Sequence, residues 1–145
     1  MLVSTKGRYA LRTMLELAGH SREEYVPLKM IAENQGISIK YLESILTALS
    51  KAEIIDGMKG KGGGYRLNRE PEDYSVGEIL RFTEGTLAPV ACLDCKPNKC
   101  ARAASCQTLP MWKQLDRIIC GYLDNLSLAD LLKMPRPDDC EAEIS

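Results

Sequence analysis

The chain has 145 residues, of which 27% are charged, and its formal net charge is −1. This length predicts one domain, or a small domain with an appendage, that buries about 68% of its unfolded surface without disulfides. No apolar run approaches the ~20 residues of a membrane helix, and the charged start of the chain lacks a signal-peptide core. We therefore expect a cytoplasmic protein with no membrane partner.

Charge is unevenly distributed between the two halves of the chain. Residues 1–69 contain 11 Lys or Arg and 7 Asp or Glu, a net charge of +4. Residues 70–145 contain 8 and 13, a net charge of −5. This asymmetry predicts that a polyanion would meet the first half only.

The first 52 residues carry the signals of three helices. Apolar residues at helical spacing predict a helix over 5–20. Pro27 opens a second helix that Gly36 ends, and Ser38 can cap a third. Two short helices joined by a tight Gly-containing turn form a helix-turn-helix. The predicted inward residues are Leu11, Met14, Leu15, Ala18, Leu28, Ile31, Ala32, Leu42, Ile45, Leu46 and Leu49.

A basic hairpin is predicted directly after the third helix. Residues 54–58 and 65–67 have strand character, and the turn between them contains Lys59, Lys61 and four glycines. A nucleotide-binding glycine loop is disfavoured, because no Ser or Thr follows a Gly-Lys pair and no helix begins after the turn. A helix-turn-helix followed by such a hairpin is a winged helix, whose wing meets phosphates or a minor groove.

The third helix is the candidate reader of a major groove. Its outward positions include Lys40, Tyr41, Glu43 and Ser44, which suit base-edge contacts. Ser38 lies at the helix start, where unpaired N–H groups favour a phosphate. Double-stranded DNA is therefore the expected partner.

Residues 75–78 form a predicted capping box that opens a helix ending at Gly85, which completes a DNA-binding domain over 1–85. Residues 86–109 have no periodicity, and a structureless segment of this length usually serves a function. It contains four of the six cysteines, spaced C-x2-C-x4-C-x5-C. They are Cys92, Cys95, Cys100 and Cys106.

The residues between these cysteines are polar or small, unlike the apolar surroundings of buried structural cysteines. Thiolates are preferred ligands of soft metals and iron–sulfur clusters, and a reducing cytoplasm disfavours disulfides. The spacing therefore predicts a metal or cluster site. Cys120, within a later helix, is expected to be a buried apolar residue.

Residues 110–125 are predicted to form the longest helix. Its apolar residues recur at spacings of 3, 4, 3 and 4, which indicates a dimerisation seam. Ile118 and Leu123 lie beside the seam and are expected to pack on the parent domain. A capped short helix follows within 110–133, and 134–145 is predicted to be a flexible acidic tail. The seam consists of Trp112, Leu115, Ile119, Tyr122 and Leu126.

Three motifs together resemble the Rrf-two family of bacterial regulators. They are Ser-Thr-Lys-Gly-Arg-Tyr-Ala at 4–10, Gly-Ile-Ser at 36–38 with Tyr-Leu-Glu at 41–43, and Gly-Gly-Gly-Tyr at 62–65. The resemblance covers about residues 1–133. It implies a homodimeric winged-helix transcription factor that binds an operator and has no small-molecule substrate. The expected DNA contacts are Ser4, Lys6, Ser38, Lys40, Tyr41, Glu43, Ser44, Lys59 and Lys61.

The resemblance also bears on the cysteines. In cluster-binding members of the family, three cysteines and a following histidine hold a [2Fe–2S] cluster. Cys100 and Cys106 match the last two cysteines, Cys92 or Cys95 matches the first, and Leu109 stands where the histidine would be. We expect an all-Cys site that includes Cys95. The alternative is a fourth ligand from the first helix of the partner subunit. In relatives that use such a ligand it is acidic, whereas Arg8 occupies the matching position in this chain. Such a site suits [2Fe–2S] and [4Fe–4S], with [2Fe–2S] favoured.

The predicted fold is mainly α with a small β-hairpin wing, a winged helix-turn-helix domain followed by a long dimerisation helix. The predicted function is transcriptional regulation that senses redox, iron or iron–sulfur status through a thiolate-bound cluster. The alternatives are a zinc-binding or cluster-free winged-helix repressor and a small electron carrier. An enzyme is not expected, because one histidine and no recognisable catalytic motif leave no catalytic constellation.

Overall fold

The computed structural model describes residues 3–94 and 101–137. This part of the chain forms helices and one antiparallel hairpin, so the predicted mainly helical fold with a small β element is confirmed. The elements are α1 (Thr5–Ala18), α2 (Leu28–Gln35), α3 (Ile39–Lys51), β1 (Ile55–Met58), β2 (Gly64–Leu67), α4 (Val76–Glu84), α5 (Leu109–Asp124) and α6 (Leu128–Lys133).

Helix α1 lies against α4 and α6 and forms one wall of the main core. Its fully buried apolar residues are Ala10, Met14 and Leu17. Of the inward residues predicted from spacing, Met14 is fully buried, but Leu11 and Leu15 are only half-buried. The buried face of α1 is therefore rotated relative to the predicted one. The helix ends at Ala18, two residues before the predicted end.

Helices α2 and α3 form the predicted helix-turn-helix. Gly36 has a φ of +64°, and this left-handed conformation, which glycine adopts at no steric cost, reverses the chain after α2. Ser38 then caps α3, since its hydroxyl accepts a hydrogen bond from the Tyr41 N–H at 3.2 Å. The four residues predicted to line the inner face of α3 are all buried, namely Leu42, Ile45, Leu46 and Leu49.

The hairpin is fixed to the segment that precedes α2. Strands β1 and β2 pair in register from Ile55 opposite Leu67 to Met58 opposite Gly64. The Val26 N–H donates to the Tyr65 carbonyl at 2.8 Å, and the Tyr65 N–H donates back at 3.0 Å. The wing is therefore held by backbone hydrogen bonds on both edges of β2.

Helix α4 starts at a capped serine, as predicted. The Ser75 hydroxyl accepts from the Glu78 N–H at 3.0 Å. The reciprocal half of the predicted capping box does not form, because the Glu78 carboxylate binds the Arg69 guanidinium at 2.8 Å instead. The second predicted capping box does form, between Ser127 and Asp130 at the start of α6.

A second, smaller core lies between α4 and α5 and includes Leu87, which follows α4. Val76, Leu80 and Leu87 are buried there, and Leu123 of α5 and Leu126, which follows α5, pack against them. The α5–α6 junction is also tied to the start of α4 by backbone hydrogen bonds from Val76 N–H to Leu126 and from Leu128 N–H to Tyr74. Helix α5 is therefore attached to the winged-helix region along its second half.

Candidate nucleic-acid interface and cysteine connector

The start of α3 presents polar side chains to solvent. Lys40, Glu43 and Ser44 are exposed, which agrees with the outward face predicted from the sequence. The Ser44 hydroxyl donates to the Tyr41 carbonyl at 2.6 Å, so this side chain turns back on its own helix. Lys40 and Glu43 are therefore the long polar side chains of this face that can reach base edges in a major groove.

Tyr41 differs from its predicted outward position. Its ring is half-buried and meets the Tyr9 ring of α1 edge-on, with 5.8 Å between ring centroids and 73° between planes. This geometry favours aromatic pairing. Tyr41 consequently connects α3, the candidate recognition helix, to α1, and only part of its side chain remains available to a partner.

The wing carries two exposed lysines, Lys59 and Lys61, at its tip. Gly60 and Gly62 have positive φ values of +91° and +78°, as a tight hairpin tip requires. Gly64 has a different reason to be glycine. A Cβ there would lie 2.1 Å from the Val26 carbonyl oxygen, so the strand pairing described above leaves no room for a side chain.

The cations of the DNA-binding half fall into two groups. The arginines are held within the protein: Arg22 lies 2.5 Å from Glu70, and Arg66 lies 3.6 Å from Asp56. By contrast, none of the ion pairs in the described ranges uses a lysine. The lysines are therefore the positive charges of this surface that are not in ion pairs among the described residues, and such charges suit phosphate contacts.

Ser4 lies at the start of α1, where its hydroxyl accepts from the Gly7 N–H at 3.1 Å. The same hydroxyl donates to Glu84 Oε1 at 2.5 Å, and the Ser4 N–H donates to that oxygen at 3.1 Å. The predicted DNA contact at Ser4 would therefore compete with Glu84. Lys6, the second residue of α1, is half-exposed and forms no ion pair among the described residues.

We call residues 86–109 the cysteine connector. Its first part is anchored by Leu87 in the second core and by a hydrogen bond from the Thr86 hydroxyl to Asp94 at 3.2 Å. Cys92 lies in a short 3₁₀ turn over Ala91–Leu93 and is half-buried. Cys95 and Cys100 lie outside the described residues.

Cys106 lies just before α5 and is a free, half-buried thiol. The Thr108 hydroxyl, 3.2 Å from its sulfur, lowers the pKa of the thiol below its usual value. The backbone N–H groups of Thr108 and Leu109 at the helix start, and then the charge of Arg102, act in the same direction. The site thus favours the thiolate, which is the form that binds metals.

The described donors are compatible with a thiophilic group but do not form a complete site. Within 3–94 and 101–137, no three His, Cys, Asp or Glu side chains come together as metal ligands. His20, two residues after the end of α1, has its Nε2 3.6 Å from Glu16 Oε1. Cys92 and Cys106 are the two predicted ligands that the structure describes.

Helix α5 presents an apolar stripe to solvent. The exposed fractions are 51% for Met111, 37% for Leu115 and 61% each for Ile118 and Tyr122, at spacings of 4, 3 and 4. Ile118 was expected to pack on the parent domain, and that expectation is wrong. Of the predicted seam, Leu115 and Tyr122 face outward, Trp112 and Ile119 are half-buried, and Leu126 packs into the second core.

Residues 3–134 of the chain match the model of the Rrf2 protein family, which is described as an iron-dependent transcriptional regulator. The chain belongs to the Rrf2 (Rrf-two) family. It is 36% identical over 132 residues to the HTH-type transcriptional regulator IscR of Aliivibrio salmonicida, covering 91% of this chain and 77% of that protein. It is 38% identical over 133 residues to protein rrf2 of Nitratidesulfovibrio vulgaris, covering 92% and 88%.

Solved structures of Rrf2 proteins share this fold. CymR, the global cysteine regulator of B. subtilis, superposes with a TM-score of 0.77 at 32% identity and covers 94% of this chain and 99% of its own. IscR of T. potens gives a TM-score of 0.72 at 38% identity, with coverage of 100% and 93%. The predicted family and winged-helix fold are thus confirmed. The chain is a helix-turn-helix transcriptional regulator that binds DNA.

Three residues of this Rrf2 chain were missed by sequence reasoning. Glu84 binds Ser4 across 80 residues of sequence, and Arg12 of α1 binds Gln35 at the end of α2. Met111 extends the exposed stripe of α5 by one turn. Only Met111 could have been found from the sequence pattern, because it lies four residues before Leu115.

None of the helices in the described ranges is long and apolar enough to cross a bilayer.

Proposed function

We propose that this Rrf2-family regulator is a homodimer that holds an iron–sulfur cluster on Cys92, Cys95, Cys100 and Cys106 and changes its operator affinity with the state of that cluster. The observation that supports it most is the position of Cys106. Cys106 is the last cysteine of the connector and lies three residues before α5, and Thr108 and the N–H groups at the start of that helix lower the pKa of its thiol.

The ligand assignment combines this position with the sequence. Cys92 and Cys106 are both free thiols, half-buried, and lie on either side of residues 95–100. Cys95 and Cys100 are proposed from their spacing alone. A bound iron–sulfur cluster would supply a redox-sensitive centre that cross-links four thiolates, with [2Fe–2S] favoured over [4Fe–4S].

The chain's own contacts link the start of the connector to α4 and α5. Leu87 packs with Val76 and Leu80 of α4, and Leu123 of α5 packs in the same core. A change in the connector therefore acts on α4 and α5 together. In a dimer, the relative placement of two recognition helices must match half-sites about 34 Å apart, so a small re-spacing alters operator affinity.

The exposed stripe of α5 supports the homodimer. Four large apolar residues in a 4-3-4 pattern form a continuous surface, and a monomer would leave it in water. A second copy of the chain offers the same stripe, which makes the surface self-complementary about a two-fold axis. The proposed interface residues are Met111, Leu115, Ile118 and Tyr122, with Trp112 and Ile119 at its edge.

Metal content and absorption of the anaerobically purified protein test the cluster. We expect iron and sulfide with a visible chromophore, and we expect Cys106→Ala to remove both. Cys120→Ala is the matched control, because Cys120 is a half-buried thiol of α5 that packs in the second core. Zinc without iron or sulfide, bound through the same cysteines, would instead support a zinc-binding regulator.

A further inference from the structure

Arg12 of α1 makes a two-point contact with the last residue of α2. Its Nε donates to the Gln35 side-chain oxygen at 3.2 Å, and its Nη2 donates to the Gln35 backbone carbonyl. That carbonyl is at a helix C-terminus, where backbone oxygens lack helical partners and a positive charge is favourable. Arg12 therefore caps the helix that leads into the helix-turn-helix turn.

Gln35 is held from its other side by Glu16. The Gln35 amide donates to Glu16 Oε2 at 3.0 Å, and the Asn34 amide donates to Glu16 Oε1 at 2.6 Å. Arg12 and Glu16 lie one turn apart on α1. Both polar ends of the Gln35 side chain are thus bound to α1, which fixes the residue immediately before the turn at Gly36.

Arg12 is also linked to the other side of the turn. Its guanidinium carbon lies 5.4 Å from the centre of the Tyr9 ring, within the range of a cation–π contact. Tyr9 in turn meets Tyr41 of the recognition helix edge-on. The same arginine therefore contacts the end of α2 directly and the first turn of α3 through one aromatic ring.

We propose that Arg12 is a positioning residue that sets the tilt of the recognition helix for base-specific binding. It acts through Gln35 and Tyr9 and makes no DNA contact of its own. The inference rests on the DNA-binding function of the Rrf2 family and is independent of any cluster. Arginine is suited to this role because its planar guanidinium donates two hydrogen bonds in fixed directions, which lysine cannot reproduce.

The test compares binding to two duplexes: an operator selected by the wild-type full chain from a random library, and a duplex of unrelated sequence. We expect Arg12→Ala to weaken operator binding about tenfold, comparable to one mismatched base pair. Binding to the unrelated duplex should change less than twofold. The slope of log affinity against log salt should stay unchanged, because no phosphate contact is lost.

Two further variants separate positioning from charge. Arg12→Lys should weaken operator binding as much as Arg12→Ala does. The double variant Arg12→Ala with Gln35→Ala should lose less operator-binding free energy than the sum of the losses in the two single variants. Arg8→Ala is the control, since it removes the same charge from α1 and its guanidinium contacts only the Thr5 hydroxyl among described residues. It should leave the ratio of the two affinities unchanged.

Three results would overturn the proposal. One is equal weakening on both duplexes with a salt slope reduced by about one, which is the behaviour of a phosphate contact. Another is full operator preference in Arg12→Lys, which would mean that charge alone is needed. The third is strict additivity of the Arg12 and Gln35 changes. Circular dichroism of each variant confirms that the helices are retained.

Discussion

Arg81 on α4 and Asp124 on α5 form a two-pronged ion pair across the junction between the winged-helix region and the long helix. One pair of atoms, Arg81 Nη2 and Asp124 Oδ2, is 2.9 Å apart, and Nη1 with Oδ1 makes the second contact. Gly77 makes the pair possible, since a Cβ there would lie 2.1 Å from the Asp124 carboxylate. The contact links α4 to α5 beside the second core.

The ion pair predicts an acid-sensitive contribution to stability. Its hydrogen bond to Arg81 holds the pKa of Asp124 below the ordinary value, so the contribution is present at neutral pH and is lost as pH falls through that lowered pKa. We expect Asp124→Asn to lower the free energy of unfolding by about 0.2–1 kcal/mol at pH 7, because both side chains are partly solvated. Urea unfolding at pH 7 and at pH 3 measures this.

Arg81→Gln provides the second arm of that experiment. It should raise the pKa of the Asp124 carboxyl towards its usual range, as followed by NMR titration. An unchanged carboxyl pKa in Arg81→Gln, or equal effects of Asp124→Asn at both pH values, would show that the pair does not form in solution.

The wing should not tolerate a side chain at residue 64. Gly64→Ala places a methyl group against the Val26 carbonyl in a backbone conformation with φ of +150°, and neither backbone can move freely. We expect a loss of about 2 kcal/mol or more in the free energy of unfolding. Gly19→Ala is the control, because Gly19 has φ of −79° and a Cβ there would make only ordinary van der Waals contacts, the nearest with the Glu16 carbonyl oxygen at 3.5 Å. It should change stability by less than about 0.5 kcal/mol.

Charge on the wing should contribute to DNA binding without sequence preference. Lys59→Ala removes an exposed cation that is not in an ion pair in the described structure, so affinity should fall alike for operator and unrelated duplexes. The slope of log affinity against log salt should fall by about 0.9. Lys133→Ala on α6 is the control and should leave the slope unchanged. An unaltered slope in Lys59→Ala would remove this residue from the interface.

The exposed stripe of α5 should be required for dimer formation. Ile118→Lys puts a charge at its centre, and we expect a monomer at micromolar concentration in sedimentation equilibrium, with unchanged helix content. Met30→Lys, at a similarly exposed apolar residue of α2, should remain dimeric. A dimeric Ile118→Lys protein would place the interface elsewhere.

Much of the fold could be predicted because its signals are local. Ser38, Gly36 and the apolar stripe of α3 lie within a few residues of one another, and capping and periodicity determine that segment. The contacts between Arg81 and Asp124, and between Ser4 and Glu84, join residues 43 and 80 positions apart, so no local pattern indicates them. They depend on how whole helices pack.

The candidate site shows the same division. Spacing alone predicts the four cysteines as a ligand group, because ligand type and separation are sequence properties, and that group stays a prediction, since Cys95 and Cys100 lie outside the described residues. The predicted outward face of α5 is only partly correct. Leu115 and Tyr122 are exposed as predicted, but Leu126, predicted to lie in the seam, packs on the parent domain, and Ile118, predicted to pack there, is exposed. A helix with apolar residues on two adjoining stripes can bury either one, and the second core around Leu87 decides between them.

The most direct test of the account is the operator affinity of the wild-type protein before and after removal of its chromophore, measured anaerobically at one salt concentration. Coupling between the cysteines and the recognition helices predicts a difference of at least about fivefold, which is the lower end of typical coupling energies. Cys120→Ala should show the same difference, and Cys106→Ala should bind like the chromophore-free protein. Equal affinities of the two wild-type forms would contradict the proposed switch.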